Sequence, residues 1–465
     1  MVRKPAKPEP RPLPWIAVIG VGAFALLLYL PTVSYDFTFD DVVIVAGNPA
    51  VQQWGNWRLL FFEDYWPGIR SALYRPVTIL SFAIERLIHG SEPGGFHFIN
   101  ALVHAGSSIM VGVIAAEFIG FGWPAVAAGL LFAAHPLHSE AVTNVSGRSD
   151  LLSTLFLLSA FLLWTRRARA GDRSTSAAAL GLYLAALGSK ENAIVLPGLI
   201  LIWEIQRARE TPLLARLAGV MRDARFWSLI GVAIAFLLLR AGALGGLRAS
   251  FDANPPLVEN PLAREGASLR ILSALANQAH GLRLHLLPHP LIADYSHETL
   301  PILSTVADPH FLMMVLFVLG AMALWMLRRS AASAVAFACS WYLIAILPAS
   351  NLPFSIGTIF AERLLYLPSV GICLAVAFLW QSARQDCLNT WRLRPALTDR
   401  ALASALLAAI LIFAGMTWAR NPVWRNDLTL FSDTVEKAPR NAKAHLRLGD
   451  ALTQAQEYDL SLIHI

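Results

Sequence analysis

The sequence predicts an all-α protein that crosses a membrane about eleven times. Hydrophobic residues make up 56% of the 465 residues and charged residues only 15%, whereas soluble domains carry about 25% charged residues. Apolar segments long enough to span a bilayer recur along the chain, and basic residues cluster between them. The net charge of +6 therefore reflects orientation signals beside membrane spans and does not indicate nucleic-acid binding.

The apolar segments give the position of each predicted span. They lie at 15–31, 96–119, 123–138, 151–165, 176–189, 192–206, 226–244, 309–327, 331–348, 364–381 and 401–418. Basic residues favour cytoplasmic loops, and the basic segments are the N-terminus, 166–169, 207–225, 328–329 and 384–400. If the N-terminus is cytoplasmic, these spans place every basic segment on the cytoplasmic side. The distribution of basic residues therefore agrees with the spans predicted from hydropathy. The basic start could also open a signal peptide, but no small-residue cleavage site precedes Pro31, and we predict an uncleaved first span.

Two further apolar segments are too polar or too short to be counted as spans. Segment 271–293 carries three histidines and two prolines, and counting it would place 328–329 outside. We predict amphipathic interfacial helices there and at 76–88. The outer face would then hold a long first loop at 32–95, rich in tryptophan and tyrosine, and an interfacial region at 245–308. Aromatic residues favour the membrane interface, so the first loop should lie on the outer surface.

The chain changes character after the last predicted span, which divides it into a membrane domain at 1–420 and a helical segment at 421–465. Leu448-Gly449 and Tyr458 hold the offsets of a tetratricopeptide repeat, and Phe431 and Pro439 fit a preceding repeat one period earlier. Such repeats need neighbours to bury their faces. We therefore expect more repeats beyond 465 in the intact protein. The alternative is an ordinary amphipathic helical tail.

Adjacent carboxylates follow the first span in Phe37-Thr38-Phe39-Asp40-Asp41. Two neighbouring acids rarely share one face, so one can point at a substrate while the protein holds the other. Their position beyond a membrane helix would bring them near the phosphate of a lipid-linked substrate. The alternative is that Asp40 caps a short helix beginning at Asp41.

Histidines and amides cluster at the predicted outer ends of the next spans. His97, Asn100 and His104 recur at helical spacing, which is typical of a polar cavity wall or of hydrogen bonds between helices. His135, His138 and Glu140 end the third span. Their spacing matches no standard zinc pattern, and we expect hydrogen bonds that line a sugar pocket rather than a metal. The three cysteines are scattered and form neither a disulfide framework nor a metal motif.

Three pairs of charged residues that are adjacent or nearly adjacent in sequence also fall on the predicted outer side. Arg148 and Asp150 can pair with each other, and so can Lys190 and Glu191. Lys190 could instead be presented to a phosphate. Arg363 suits a phosphodiester because its planar fork donates two hydrogen bonds, and Glu362 would hold it in place. The alternative for Arg363 is a structural ion pair.

Taken together, these residues resemble the transmembrane-and-tetratricopeptide-repeat family of protein O-mannosyltransferases and its bacterial relatives, in the C-type glycosyltransferase superfamily. The segments that carry the resemblance are 39–41 with Asn48-Pro49, Tyr74-Arg75-Pro76, 95–97 with Asn100 and His104, 135–142, 147–150, 189–191 and 362–369, which includes Tyr366. The resemblance covers nearly the whole chain. One departure is Leu364-Leu365, where an aromatic residue would be expected before Leu-Tyr.

The resemblance implies a C-type glycosyltransferase whose site faces the extracytoplasmic side, here of a bacterial inner membrane. It would move mannose from a polyprenyl-phosphate carrier to a hydroxyl acceptor. Asp40 or Asp41 would be the base that deprotonates the acceptor. Arg363, with Lys190 or Arg75, would stabilise the departing lipid phosphate. No nucleotide motif or required cofactor is evident, the metal dependence is open, and the repeats would bind the protein or glycan acceptor.

Other functions compete with a protein-directed transferase. A lipid-linked glycan ligase or polymerase would use the same donor. A transporter should show inverted repeats and broken spans, and we find no convincing internal symmetry. A non-enzymatic anchor that displays repeats would leave the polar outer face unexplained.

Overall fold

The computed structural model describes residues 15–69, 71–172, 174–208, 211–246, 255–296, 298–327, 330–389 and 394–464. The basic residues of the orientation argument at 3–11, 209, 328–329 and 392 lie outside these ranges, as do residues 247–254. Within the described ranges every regular element is helical and no strand occurs. The prediction of an all-α protein is confirmed.

Twenty α-helices follow one another through the described residues. They are α1 Trp15–Tyr29, α2 Pro49–Gln52, α3 Trp57–Phe62, α4 Pro76–His89, α5 Pro93–Ile119, α6 Trp123–Ala134, α7 Ser139–Thr143, α8 Arg148–Arg169, α9 Ala177–Ser189, α10 Leu196–Arg207, α11 Leu213–Met221, α12 Ala224–Ala243, α13 Ala267–Leu286, α14 Pro309–Met326, α15 Ser330–Ile346, α16 Tyr366–Asn389, α17 Pro395–Arg420, α18 Asp427–Lys437, α19 Ala442–Gln454 and α20 Tyr458–His464. Short 3₁₀ turns link many of them, and a π-helical turn spans Val42–Ala46.

Each of the eleven predicted spans contains a helix, but only some of these helices can cross a bilayer unaided. In the described part of the chain, eight helical segments are long and apolar enough to do so. The helices α6 and α9 are apolar but shorter, and α10 has only 12 residues. The count of eleven crossings therefore stays a prediction. The two segments predicted as interfacial form α4 and α13, and α13 ends at Leu286, because prolines 288 and 290 cannot continue a helix.

The buried core is formed by α5, α6, α8, α9, α10, α15 and α16, whose apolar side chains make one continuous cluster. Helices α5 and α6 approach closely where Gly129 faces α5: a Cβ at that position would lie 2.8 Å from the carbonyl oxygen of Ser108. Small residues permit this close approach between membrane helices. The packing brings the first turns of α5, α8 and α16 to one end of the bundle, beside the first outer loop.

After α17 the chain turns through Asn421–Trp424 into α18, α19 and α20, which pack successively on each other. Asn426 and Asn441 cap α18 and α19 through their side-chain oxygens. Trp424, Leu430, Phe431, Leu448 and Leu452 form a buried cluster of their own. A helical segment therefore follows the membrane domain as expected, while its assignment to tetratricopeptide repeats and the boundary at 420 stay predictions.

Candidate active site at the predicted outer face

The structure gives the two adjacent carboxylates different environments. Asp41 is fully buried and accepts hydrogen bonds from the backbone N–H groups of Ser146 at 2.6 Å, Val145 at 3.0 Å and Thr38 at 3.4 Å. Burial raises the pKa of Asp41 to about 7, although the three N–H groups act to lower it. Asp41 therefore fixes the loop, and its carboxylate has its acceptor sites occupied.

Asp40 makes no such backbone contacts and faces a cation. Its side chain is 16% exposed, and its Oδ2 lies 3.9 Å from an Nη of Arg363. The π-helical turn begins at Val42 and receives no side-chain cap, so the alternative in which Asp40 caps a helix is wrong. Burial raises the pKa of Asp40, while Arg363 and Lys443 act in the opposite direction. Asp40 is thus the accessible carboxylate of the pair.

Arg363 is held by Glu140 and not by its neighbour Glu362. The backbone N–H of Arg363 donates to Glu140 at 2.8 Å, and its guanidinium donates to the other carboxylate oxygen. Glu140 is fully buried, whereas the Arg363 side chain is 24% exposed. The prediction that Glu362 positions Arg363 is wrong, because Glu362 instead accepts from the Ile292 N–H and the Tyr295 hydroxyl. Glu362 therefore anchors the segment after α13.

The other two candidate phosphate ligands are also paired with distant carboxylates. Lys190 Nζ lies 2.7 and 2.8 Å from the two oxygens of Asp150. Arg75 makes a two-pronged contact with Glu191 at 2.8 and 3.1 Å and stacks on the Tyr65 ring at 4.8 Å. The alternative in which Lys190 and Glu191 pair with each other is wrong, because the chain directs their side chains to different partners. Asp150 lies within electrostatic range of Arg75, Glu140 and Arg363, which joins these pairs into one charged cluster.

Arg148 is more deeply buried than Arg363, and its side chain holds neighbouring helices together. Its guanidinium pairs with Glu85 of α4, and its other N–H groups donate to Asn100 and to the Phe96 carbonyl. Arg148 is 0% exposed. The predicted pairing of Arg148 with Asp150 is therefore wrong: the two side chains leave the first turn of α8 in different directions, toward α4 and toward Lys190.

The polar residues predicted to line a cavity are buried and bonded within the protein. Asn100 donates to the carbonyls of Val142 and Asn144, and His97 contacts the Asp36 carbonyl at 3.3 Å. His104 bonds the Tyr366 hydroxyl at 2.8 Å. These contacts hold the 135–150 segment and the first loop against α5, so the three residues support the site and do not form its surface.

His135 and His138 have the same supporting role. His138 bonds the Phe132 carbonyl at 2.7 Å and the Ser369 hydroxyl at 3.0 Å, and His135 contacts the His285 carbonyl at 3.1 Å. These bonds tie the 135–138 turn to α13 and α16. In the described ranges, no group of three or more His, Cys, Asp or Glu side chains is arranged to hold a metal ion.

The C-terminal helical segment touches the loop that carries Asp40, which the sequence did not reveal. The backbone N–H of Phe39 donates to Asp427 of α18 at 2.7 Å. The Phe39 ring packs edge-on against Phe431 at 5.7 Å and lies 5.2 Å from Lys443 Nζ. Phe39 has a φ of 54°, which is uncommon for a residue other than glycine and needs support from its surroundings. The segment supplies that support directly beside Asp40.

Lys443 brings two more acidic residues to this side of the site. Its Nζ lies 2.8 Å from Glu259 and 3.0 Å from Asp294. Asp294 and Lys443 both act electrostatically on Asp40. The sequence signal for these residues was weak, because each is an isolated charge more than 200 positions from Asp40 and no local motif links them to it.

A cavity of about 140 Å³ opens in the first loop on the far side of Arg75. Asn48, Asp64, Tyr65 and Arg75 contribute its polar wall, and Pro49, Leu60 and Ile79 its apolar wall. Asp64 accepts from the backbone N–H groups of Ser71 and Ala72 at 2.9 Å, which folds the loop around the opening. Arg75 therefore borders both the cavity and the charged cluster.

The arrangement as a whole can accept a proton and bind an anion at adjacent points. Asp40 is a partly exposed carboxylate with a raised pKa, which suits a general base. Arg363 presents a guanidinium beside it, fixed from behind by Glu140. An oriented cation of this kind stabilises negative charge that develops on a departing group.

Comparison with known proteins adds the following findings. No protein-family model matches the chain. It is 30% identical over 477 residues to "Protein O-mannosyl-transferase TMTC3" of Homo sapiens, covering 96% of this chain and 51% of that protein. Identity to "Protein O-mannosyl-transferase TMTC4" of Homo sapiens is 28% over 491 residues, covering 94% and 64%. Identity to Tmtc3 of Drosophila melanogaster is 27% over 505 residues, covering 94% and 53%. The chain spans about half to two thirds of the length of these relatives.

Among solved structures, the chain is similar to ArnT from Cupriavidus metallidurans bound to undecaprenyl phosphate. The TM-score is 0.47 with 13% sequence identity, and the match covers 94% of this chain and 80% of ArnT. ArnT in the apo state gives a TM-score of 0.45 with 13% identity.

Proposed function

We propose that the chain transfers mannose from a polyprenyl-phosphate carrier to a hydroxyl group of a protein, because it is 30% identical over 96% of its length to a human protein O-mannosyl-transferase. The reaction takes place at the extracytoplasmic face, where the predicted topology puts Asp40 and Arg363. The observation that carries the proposal is the pairing of a partly exposed carboxylate with a cation that is fixed from behind by Glu140.

The proposed reaction is a single displacement. Asp40 accepts the proton of the acceptor hydroxyl as its oxygen forms a bond to the anomeric carbon of the sugar. The bond between that carbon and the phosphate oxygen breaks, and the electron pair leaves with the polyprenyl phosphate. Arg363 donates to the phosphate oxygens, on which negative charge increases. Glu140 keeps the guanidinium in the required orientation through its two contacts.

Lys190 and Arg75 have secondary roles in this proposal. Both are almost completely buried and have carboxylate partners, Asp150 and Glu191, in the free protein. Their charges stabilise an anion at longer range and need not touch it.

Asp41 holds the loop through its N–H contacts, so of the two acids Asp40 is the proposed base. The C-terminal helices, which contact the Asp40 loop, bind the acceptor protein.

The test is a transfer assay with purified full chain, radiolabelled polyprenyl-phosphate mannose and a cell-envelope extract. Asp40→Asn keeps the size of the side chain but cannot accept the proton, and we expect transfer to fall about 10²–10⁴-fold. Asp36→Asn is the matched control, since Asp36 is an exposed acid on the same loop and its contacts with the protein are made by its backbone. Unchanged transfer by folded Asp40→Asn would overturn the assignment of the base.

A further inference from the structure

A larger cavity, of about 380 Å³, lies at the opposite end of the bundle from Asp40. It is enclosed by the last turns of α5, α8 and α10, the start of α15 and the second half of α16. The elements that lead to Asp40 and Arg363 meet at the other ends of these same helices. The cavity is therefore separated from the candidate active site by the length of the membrane helices, and the proposed transfer reaction does not use it.

The lining of this cavity combines an apolar wall with a cationic rim. Phe118, Trp203 and Phe378 form much of the wall. The guanidinium of Arg207 lies 5.2 Å from the centre of the Trp203 ring, and that of Arg169 lies 5.7 Å from Phe118 and 5.9 Å from Trp203. Stacking of this kind holds the cations at the rim. Their side chains remain 34% and 45% exposed for Arg169 and Arg207, so a ligand can reach them.

The polar groups at the rim are incompletely satisfied. Gln206 has a buried amide oxygen with no hydrogen-bond partner, and three more polar side chains, Gln381, Ser382 and Gln385, line the same space. A buried polar atom without a partner is costly unless a ligand or water supplies one. Arg169 uses one Nη to bond Glu117 at 2.6 Å. Arg207 bonds Glu204 through its Nε at 3.1 Å and one Nη at 2.9 Å, and its other Nη contacts the Ala168 carbonyl at 3.4 Å. Since each planar guanidinium has five N–H donors, both retain donors beyond these contacts. The rim therefore offers donors for an anion and an acceptor for a hydroxyl or ammonium group.

We propose that this cavity binds the headgroup of an anionic phospholipid of the cytoplasmic leaflet, with the phosphate at Arg169 and Arg207. Of the basic segments that predict the cytoplasmic side, residues 166–169, Arg207 and Arg384 lie in the parts of α8, α10 and α16 that form this end of the bundle. Basic pockets between membrane helices on that side bind anionic headgroups. The wall formed by Phe118 and Phe378 accommodates the start of the acyl chains, which a soluble phosphate ester would leave uncovered.

Native mass spectrometry of the detergent-purified full chain, titrated with phosphatidylglycerol, tests the proposal. Replacing both arginines in Arg169→Gln/Arg207→Gln should weaken binding about tenfold or more, because each basic residue contributes to the attraction of an anionic lipid. Arg166→Gln is the matched control: Arg166 also pairs with Glu117, at 2.7 Å, but does not line the cavity. Ala334→Phe adds bulk inside the cavity without a change of charge and should also weaken binding.

Two comparisons with other ligands complete the design. Phosphatidylcholine should bind about tenfold more weakly than phosphatidylglycerol, and glycerol 3-phosphate should not displace the lipid at equal concentration. Equal losses in Arg166→Gln and in the double variant would overturn the proposal, because they would indicate unspecific surface charge. Unchanged binding in Ala334→Phe would place the lipid elsewhere. Displacement by glycerol 3-phosphate would show that the cavity binds a phosphate group but would overturn the proposal that its ligand is a lipid.

Discussion

The two ends of the bundle both carry many charged residues, but they pair them differently. At the predicted outer end, the ion pairs join residues far apart in sequence, with separations of 223 for Arg363 and Glu140 and 116 for Arg75 and Glu191. At the opposite end some partners are near neighbours, such as Arg207 with Glu204 three residues away and Arg167 with Asp172 five residues away. Glu117 binds Arg166 and Arg169 from 49 and 52 residues away, but all three of these side chains are partly exposed. Exposure differs in the same sense: Glu140 is 0% exposed, whereas Arg207 is 45% exposed.

The difference indicates what each set of charges does. A buried charge loses its hydration, and its partner often only compensates for that loss, so buried pairs are weak evidence of a stabilising role. The chain brings three such pairs together from distant segments, namely Arg363 with Glu140, Arg75 with Glu191 and Lys190 with Asp150, which points to chemistry at that end. Exposed local pairs cost little to form and contribute about 0–1 kcal/mol. At the opposite end, the proposed use of the charges is orientation in the membrane and lipid contact.

Among the residues that hold the site in place, the largest effect should come from Glu140→Gln, which removes the charge behind Arg363. Arg363 would then turn toward Asp40, only 3.9 Å away, and neutralise the proposed base. We expect transfer to fall about 10²–10³-fold, measured as initial rates at saturating donor. Glu362→Gln is the comparison, because it keeps an oxygen for Ile292 N–H and Tyr295 hydroxyl. Loss of activity in Glu362→Gln with normal rates in Glu140→Gln would reverse the assignment of these two acids.

The pH dependence of transfer should distinguish Asp40 from the other acids. The pKa of Asp40 is raised by burial, and the base must be ionised, so the rate should rise with pH through that pKa and then level off. Below it, the rate should fall about tenfold per pH unit. The residual rate of Asp40→Asn should show no such limb in the same buffers. If the limb persists in Asp40→Asn, it belongs to another group, for which Asp41 with its pKa of about 7 would be the first candidate.

A smaller effect is expected at the contact between the C-terminal segment and the first loop. Asp427→Ala removes the acceptor of the Phe39 N–H, so the turn at Phe39 should relax and transfer should fall about fivefold to tenfold. Asp427→Asn keeps an acceptor oxygen and should stay near the wild-type rate. Hydrogen exchange of a peptide covering 36–41 gives a readout independent of activity. Faster exchange in Asp427→Ala alone is expected, and equal protection in both variants would contradict the contact.

The smallest effect should follow a change in an exposed pair at the opposite end. Arg384 and Asp399 form such a pair, with side chains 39% and 44% exposed. Asp399→Asn should leave both the melting temperature in detergent and transfer essentially unchanged, because an exposed pair contributes little to stability. A loss comparable to that of Glu140→Gln would show that the two ends do not differ as proposed.

Sequence reasoning succeeded for the helices and failed for most partners of the charged residues. Hydropathy locates a helix in each predicted span because an apolar segment must satisfy its backbone hydrogen bonds internally. The predicted pairs were Arg148 with Asp150, Lys190 with Glu191, and Glu362 with Arg363. Each joined close neighbours in sequence, and the structure separates all three.

The reason for these errors is geometric. Residues one or two apart in a helix or 3₁₀ turn point in directions that differ by about 100–200°, so they face different neighbours. Glu85 and Glu140, which do bind Arg148 and Arg363, are visible in the sequence, but only the packing of α4, α7 and the start of α16 brings them into contact. The same holds for Lys443 and Asp427. Asp40 and Asp41 were expected to have different surroundings, and they do. This could be foreseen because the side chains of adjacent residues point in different directions along the chain.

The bond from the Phe39 N–H to Asp427 also bears on where this protein can be divided. A membrane portion cut after Arg420 would keep every helix that crosses the bilayer, yet it would lose the acceptor for Phe39 and the ring of Phe431. The smallest unit with an intact site must therefore extend through Lys443. Exchanging the proposed acceptor-binding segment between relatives should then be done beyond α19, because a junction nearer the membrane would replace part of the candidate active site together with that segment.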